Sequence, residues 1–157
     1  MQYKQIEMLK TFLGELETTL LSEEKRTLVT YPSSSISPWN TAELDAANQK
    51  LLYAASGDAN VYAIFTAPKN SISFSLRYIG KTTRKLARQR IRNHLIRKHE
   101  KTGAKLKHVM DHVLSGGSIK ISWTKIEPES LRNYVEEELI HKHQEADWNR
   151  ENAQSGN

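Results

Sequence analysis

Asn60-Val61-Tyr62-Ala63-Ile64-Phe65-Thr66-Ala67, broken by Pro68-Lys69-Asn70 and followed by Ser71-Ile72-Ser73-Phe74-Ser75-Leu76-Arg77-Tyr78-Ile79, is the stretch that decides the fold. Both runs are rich in aromatic and β-branched residues, which fit a pleated surface. The break between them has turn chemistry, so the pair is expected to form an antiparallel hairpin. Beyond Gly80 the pattern turns helical, with Leu86, Ile91, Leu95 and Ile96 on the apolar side. A second helix is expected from about Gly103 to Leu114, ended by Ser115-Gly116-Gly117, and a third strand over Ser118 to Lys125. Pro128 opens a long last helix reaching about Ala146. The order β-β-α-α-β-α predicts an α/β domain of the α+β kind over residues 58–150, a three-stranded antiparallel sheet flanked by helices.

Residues 1–57 read as a helical N-terminal extension. Ile6, Leu9, Leu13, Leu16 and Leu20 step by three and four between charged residues, the pattern of an amphipathic helix from Gln2 to about Lys25, weakened at Gly14. Tyr31-Pro32-Ser33-Ser34-Ser35-Ile36-Ser37-Pro38 is a breaker-rich loop. Asn40 and Glu43 then have the spacing of a capping box for a helix running to about Ala55, which Ser56-Gly57-Asp58 ends. The extension is expected to cover one side of the main domain. Residues 151–157, with Ala153-Gln154-Ser155-Gly156-Asn157, read as a loose tail.

A chain of 157 residues, 38% hydrophobic and 26% charged, is long enough for one packed domain. It has no cysteine, so neither disulfides nor thiolates can hold the fold or a metal. The longest apolar run, Val61-Tyr62-Ala63-Ile64-Phe65, is far too short to cross a bilayer, and no secretory pattern follows Met1. A cytoplasmic protein without membrane contact is expected.

The net charge is +5, and its distribution matters more than its sum. Between Arg77 and Lys107 stand Lys81, Arg84, Lys85, Arg88, Arg90, Arg92, Arg97, Lys98, Lys101 and Lys105, with Glu100 as the only acid. Solvated helix faces usually interleave acids as i,i+4 partners. Their near absence here points to a polyanionic partner held through phosphate contacts. Arg84, Lys85, Arg88, Arg92, Arg97, Lys98, Lys101 and Lys105 are the candidate DNA-binding residues.

Five local texts now fall in order. Asn60-Val61-Tyr62 is followed by Tyr78-Ile79-Gly80, then Arg90-Ile91-Arg92-Asn93-His94-Leu95, then Val135-Glu136-Glu137-Glu138-Leu139-Ile140, then Trp148-Asn149. In this order they resemble the GIY-YIG nucleases over roughly Asn60 to Asn149, and within that family they look most like the type II restriction endonucleases. Asn60 stands where the family has glycine, a position that concerns backbone packing more than chemistry. The resemblance implies a Mg²⁺-dependent endonuclease, with Mn²⁺ able to substitute, that hydrolyses double-stranded DNA and forms a homodimer for double-strand cleavage. The implied catalytic residues are Tyr62, Tyr78, Lys81, Arg90, His94, Glu136 and Asn149, with Glu136 the metal ligand. Arg88 stays open beside Arg90, and Glu137 beside Glu136. A phage or mobile-element nuclease of the same family, or a binding module without catalysis, are the alternatives.

The chemistry explains these residue types. Phosphodiester hydrolysis concentrates negative charge on phosphoryl and leaving oxygens, and Mg²⁺ takes oxygen ligands while keeping several waters, so one carboxylate can suffice. An arginine offers the phosphate a planar two-pronged donor, and losing one such donor costs about 3–4 kcal/mol in comparable sites. A phenol with an ordinary pKa of about 10 is a weak base at neutral pH, so Tyr62 needs help from Lys81, His94 or the metal. Taken singly, a strand tyrosine is most often a packing residue and a helix glutamate a solvated one. Packing alone does not yield all five texts in this order. His108, His112, His141 and His143 have metal-like spacings but offer too few convergent ligands for zinc.

Overall fold

The computed structural model describes residues 1–97 and 104–150. Helix α1 covers Ile6–Leu21, β1 Thr27–Leu28, α2 Ser33–Ile36, α3 Thr41–Ala47 and α4 Gln49–Ala55. The hairpin follows as β2 Val61–Ala67 and β3 Ser75–Lys81, then α5 Ala87–Leu95, α6 Leu106–Leu114, β4 Ser118–Thr124 and α7 Leu131–Lys142. The hairpin, the third strand of the domain and the flanking helices thus occur in the expected order. The expected start of the second helix at Gly103, the residues Lys98, Glu100 and Lys101, and the tail over 151–157 lie outside the described residues.

The sheet has four strands, not three, in the order β1-β4-β2-β3, all antiparallel. The extra strand comes from the extension: Thr27 and Leu28 pair with Ile121 and Lys120 on the open edge of β4. Two residues leave no periodicity to read in a sequence, and pairing supplied by a preformed edge overrides weak local preference. The expected helix from Asn40 to Ala55 is likewise two helices. Asn40 caps α3 by accepting from the Glu43 N–H at 3.0 Å. The break falls at buried Asn48, whose side chain accepts from the Thr30 N–H at 2.8 Å and donates to the Thr30 carbonyl at 2.9 Å. That two-way bond imitates a strand neighbour and anchors the stretch after β1.

Alternation along β2 divides the core. Tyr62 and Ile64 face one layer with Ile91, Leu95, Val109, Ile119 and Ile121. Val61, Ala63 and Phe65 face the other with Leu16, Leu20, Val135 and Leu139. The extension contributes to both layers, since Leu44, Leu51 and Leu52 pack in the first and Leu16 and Leu20 in the second. It therefore wraps the β1–β4 edge instead of covering one side. Each such buried leucine stabilises the fold by roughly 1.5–3 kcal/mol. No helix among the described residues is long and apolar enough to cross a membrane.

Candidate active site

Tyr62 near the start of β2 lies opposite Gly80 near the end of β3, and Tyr78 lies opposite Ile64. Glycine at position 80 is required by packing: a Cβ there would sit 2.6 Å from both Cζ and the hydroxyl oxygen of Tyr62. The Tyr62 ring therefore passes close over the Gly80 backbone, and the residue is only 1% exposed. Helix α5 brings His94 against both phenols, with ring centroids 5.4 Å from Tyr62 and 5.0 Å from Tyr78.

The hydrogen bonds of His94 fix its state. The Lys105 backbone N–H donates to Nδ1 at 3.0 Å, so Nδ1 carries a lone pair. Burial, with Arg90 and Lys105 nearby, pushes the imidazole down to about 3, which keeps it neutral at physiological pH. Its one proton is therefore on Nε2, which donates to the Tyr62 hydroxyl oxygen at 2.7 Å. His94 is thus set to donate to the Tyr62 oxygen and not to take the Tyr62 proton. Burial raises Tyr62 well above the ordinary phenol range, with Tyr78 raising it further and Arg90 opposing. Burial and Glu136 push Tyr78 up to about 12, again against Arg90.

Glu136 projects from α7, which packs along β3 with Val135 and Leu139 in the core and Glu137 and Glu138 exposed. Its side chain is 19% exposed, and the Lys81 Nζ lies 3.8 Å from Oε1. Burial holds its carboxyl above the ordinary range despite Lys81 and Arg90, so a further cation would be welcome there. The field of Arg90 reaches Tyr62, Tyr78, His94 and Glu136, whereas that of Arg88 shapes none of them. Glu136 raises both phenols, and Glu137 is felt at Glu136. Arg90 is also the cation that lowers Tyr62; Lys81 is turned to Glu136.

Asn149 stands apart from this convergence. Its Oδ1 accepts from the Ile79 N–H at 2.8 Å and its Nδ2 donates to the Ile79 carbonyl at 2.8 Å, so it completes the open edge of β3 between Tyr78 and Gly80. Asn60 is a buried hub. It donates to the Thr82 carbonyl at 3.1 Å and to Glu129 at 3.0 Å, and accepts from the Ile126 N–H at 2.9 Å. Among the described residues no group of three or more His, Asp or Glu side chains could hold a metal. Glu136 alone fits only a hard cation that draws its other ligands from phosphate and water.

Several candidate DNA-binding residues are engaged within the fold. Arg92 forks onto Asp45 of α3 at 2.8 and 2.7 Å. Arg84 meets Glu127 at 2.7 Å and Glu129 at 3.7 Å. Lys105 is buried, with Nζ 6.0 Å from the centroid of the Tyr78 ring. The acids missing from the basic segment are thus supplied from elsewhere in the chain. Lys85, Arg88 and Arg97 remain exposed, while Lys98 and Lys101 fall outside the described residues. The histidines are dispersed: His108 stacks on Trp148, His112 meets the Ala67 carbonyl at 2.9 Å, and His143 lies between Glu17 and Glu145.

The sequence places Gly80 and Asn60 in motifs but does not show their contacts, the close approach of Tyr62 to Gly80 and the Asn60 hub, and the Lys105 N–H is not legible in it at all. A backbone donor leaves no mark on residue identity, and glycine reveals a close approach only once its neighbour is known. No family model matches the chain, and no curated protein or solved structure matches it.

Proposed function

We propose that this protein is a Mg²⁺-dependent endonuclease of the GIY-YIG kind that hydrolyses phosphodiester bonds in double-stranded DNA, most like the restriction enzymes of that family. The observation carrying the proposal is the gathering of Tyr62, Tyr78, His94 and Glu136 within the field of Arg90, from β2, β3, α5 and α7. Packing needs neither a half-buried carboxylate nor a histidine locked in one tautomer beside two buried phenols.

In this reading the phosphate enters beside Arg90, whose guanidinium meets the charge that grows on the phosphoryl oxygens. Glu136, which lies beside Lys81, would hold the divalent cation, and that cation would supply Lewis-acid stabilisation. Tyr62 would act on the attacking water only after giving up its own proton, a loss that burial opposes and that Arg90 and a cation at Glu136 would favour, while His94 Nε2–H holds its oxygen in place. The water oxygen bonds to phosphorus, one P–O ester bond breaks, and the leaving oxygen takes its proton from solvent. Tyr78 orients the water or the phosphate. Lys85, Arg88 and Arg97 offer contacts to the DNA backbone, which position the duplex without reading sequence.

Incubation of supercoiled plasmid with the protein and Mg²⁺ tests the proposal. Nicked or linear product, abolished by chelation and by Glu136→Ala, is expected, and discrete fragments would favour a restriction enzyme. Salt-sensitive binding with no cutting above the Glu136→Ala background would leave a binding module in place of an enzyme.

A further inference from the structure

The extension reaches the candidate site through the end of α5. The last carbonyls of any helix lack intrahelical donors, and those just after His94 find theirs in the segment 31–39, which reads in the sequence as a loop to Pro38 and in the structure contains the short α2 over Ser33–Ile36. The Tyr31 hydroxyl donates to the Leu95 carbonyl at 2.9 Å, and the Trp39 indole N–H donates to the Ile96 carbonyl at 2.8 Å. The two rings pack together with centroids 5.7 Å apart. One turn back, Asp45 grips Arg92 through both oxygens. Beneath these contacts Leu44 and Leu52 share a core layer with Ile91 and Leu95. Segments 31–45 and 92–96 therefore form one body, and His94 is inside it.

We infer that Tyr31 and Trp39 are positioning residues: they hold the C-terminal end of α5 so that His94 Nε2 meets the Tyr62 hydroxyl, which makes the extension an integral part of the catalytic unit. The kinetic side of this inference rests on the nuclease reading; the geometric side does not. Tyr62 and His94 meet over 2.7 Å, at the short end of a usual range that closes at about 3.2 Å, so a small slide of α5 would carry the pair out of hydrogen-bond geometry and release the phenol. The Lys105 N–H constrains His94 from the opposite side, so a slide would also strain the bond that fixes the tautomer.

The experiment uses the full chain with the double substitution Tyr31→Phe/Trp39→Phe, which removes both donors and keeps aromatic rings in place. Leu16→Ala, in α1 on the other core layer, serves as a control for lost stability alone. Two readouts are taken well below the unfolding temperature: ¹⁵N-detected spectra of the histidine rings, and single-turnover cleavage against DNA affinity. In the native protein His94 should appear as a single tautomer protonated on Nε2. In the double variant that ring signature should shift or broaden, kcat should fall about tenfold or more, and DNA affinity should stay within about a factor of two. Leu16→Ala should leave the ring and kcat as they were.

An unchanged His94 signature in the double variant overturns the inference whatever the rate does. A changed signature with unchanged kcat overturns the positioning role. If the native protein cuts no DNA at all, the nuclease reading fails, and a changed ring signature still upholds the clamp on His94.

Discussion

Tyr62 lies directly over Gly80, its cross-strand partner, so closely that the smallest side chain at position 80 would meet the phenol oxygen at 2.6 Å. The same contact seats the Tyr62 hydroxyl against His94. Gly80→Ala should therefore displace the phenol, costing about 1–3 kcal/mol through overpacking. Cleavage should fall by about a hundredfold, as a misplacement near 1 Å can cause. Denaturant unfolding and single-turnover kinetics measure the two effects. Activity near the native level would mean that the Tyr62 hydroxyl does not need this seat.

Neutral burial of His94 makes stability depend on pH. Its pKa is pushed down to about 3 in the fold, against an ordinary value of about 6.5 when unfolded, so between these limits the unfolded chain binds the extra proton. The contribution is fully present above pH ~6.5 and is lost as pH falls toward ~3, at up to about 1.4 kcal/mol per pH unit. Urea titrations of the native chain and of His94→Gln from pH 7.5 to 4 isolate it. The variant should lose stability more slowly on acidification; parallel curves would show that His94 is not held neutral.

The three consecutive glutamates are distinguished by burial. Glu136→Gln should lower Mg²⁺-dependent cleavage by about a hundredfold or more, since on the proposed function it removes the carboxylate that would hold the cation. Glu137→Gln and Glu138→Gln, on the exposed side of α7, should stay within about threefold. Rates at saturating Mg²⁺ read the difference, and equal losses at Glu136 and Glu137 would contradict the assignment.

The basic residues divide into two sets with different readouts. Lys85→Gln, Arg88→Gln and Arg97→Gln should each weaken DNA binding and lower the slope of log affinity against log salt by about one, the signature of a lost phosphate contact. Arg92→Gln, which frees Asp45, should instead lower stability by about 1–3 kcal/mol and leave the salt slope nearly unchanged. A large slope change at Arg92 would overturn this division.

The hairpin and the three principal helices of the domain were legible because their periodicities are local. The β1 strand was not, since Thr27 and Leu28 become a strand only on the edge that β4 provides. In the site, Tyr62, Tyr78, His94 and Glu136 could be named from motif order, and the ambiguity between Arg88 and Arg90 remained because both lie on one short helix. Their surroundings could not be named. Asp45 pairs with Arg92 across 47 positions and the Tyr31 hydroxyl meets the Leu95 carbonyl across 64, and no window of local sequence contains such partners. Charge counting along the segment consequently overestimated how much of it faces solvent.

Tyr62→Phe removes a single oxygen atom from a fully buried ring and leaves its packing over Gly80 unchanged. Single-turnover cleavage of a labelled duplex at saturating Mg²⁺, beside the affinity and salt slope of the same variant, is the most direct test of a phenol acting on the attacking water. The rate should fall by about a hundredfold or more with binding and its salt dependence intact. A folded Tyr62→Phe protein that cuts within about threefold of the native rate would contradict the mechanism.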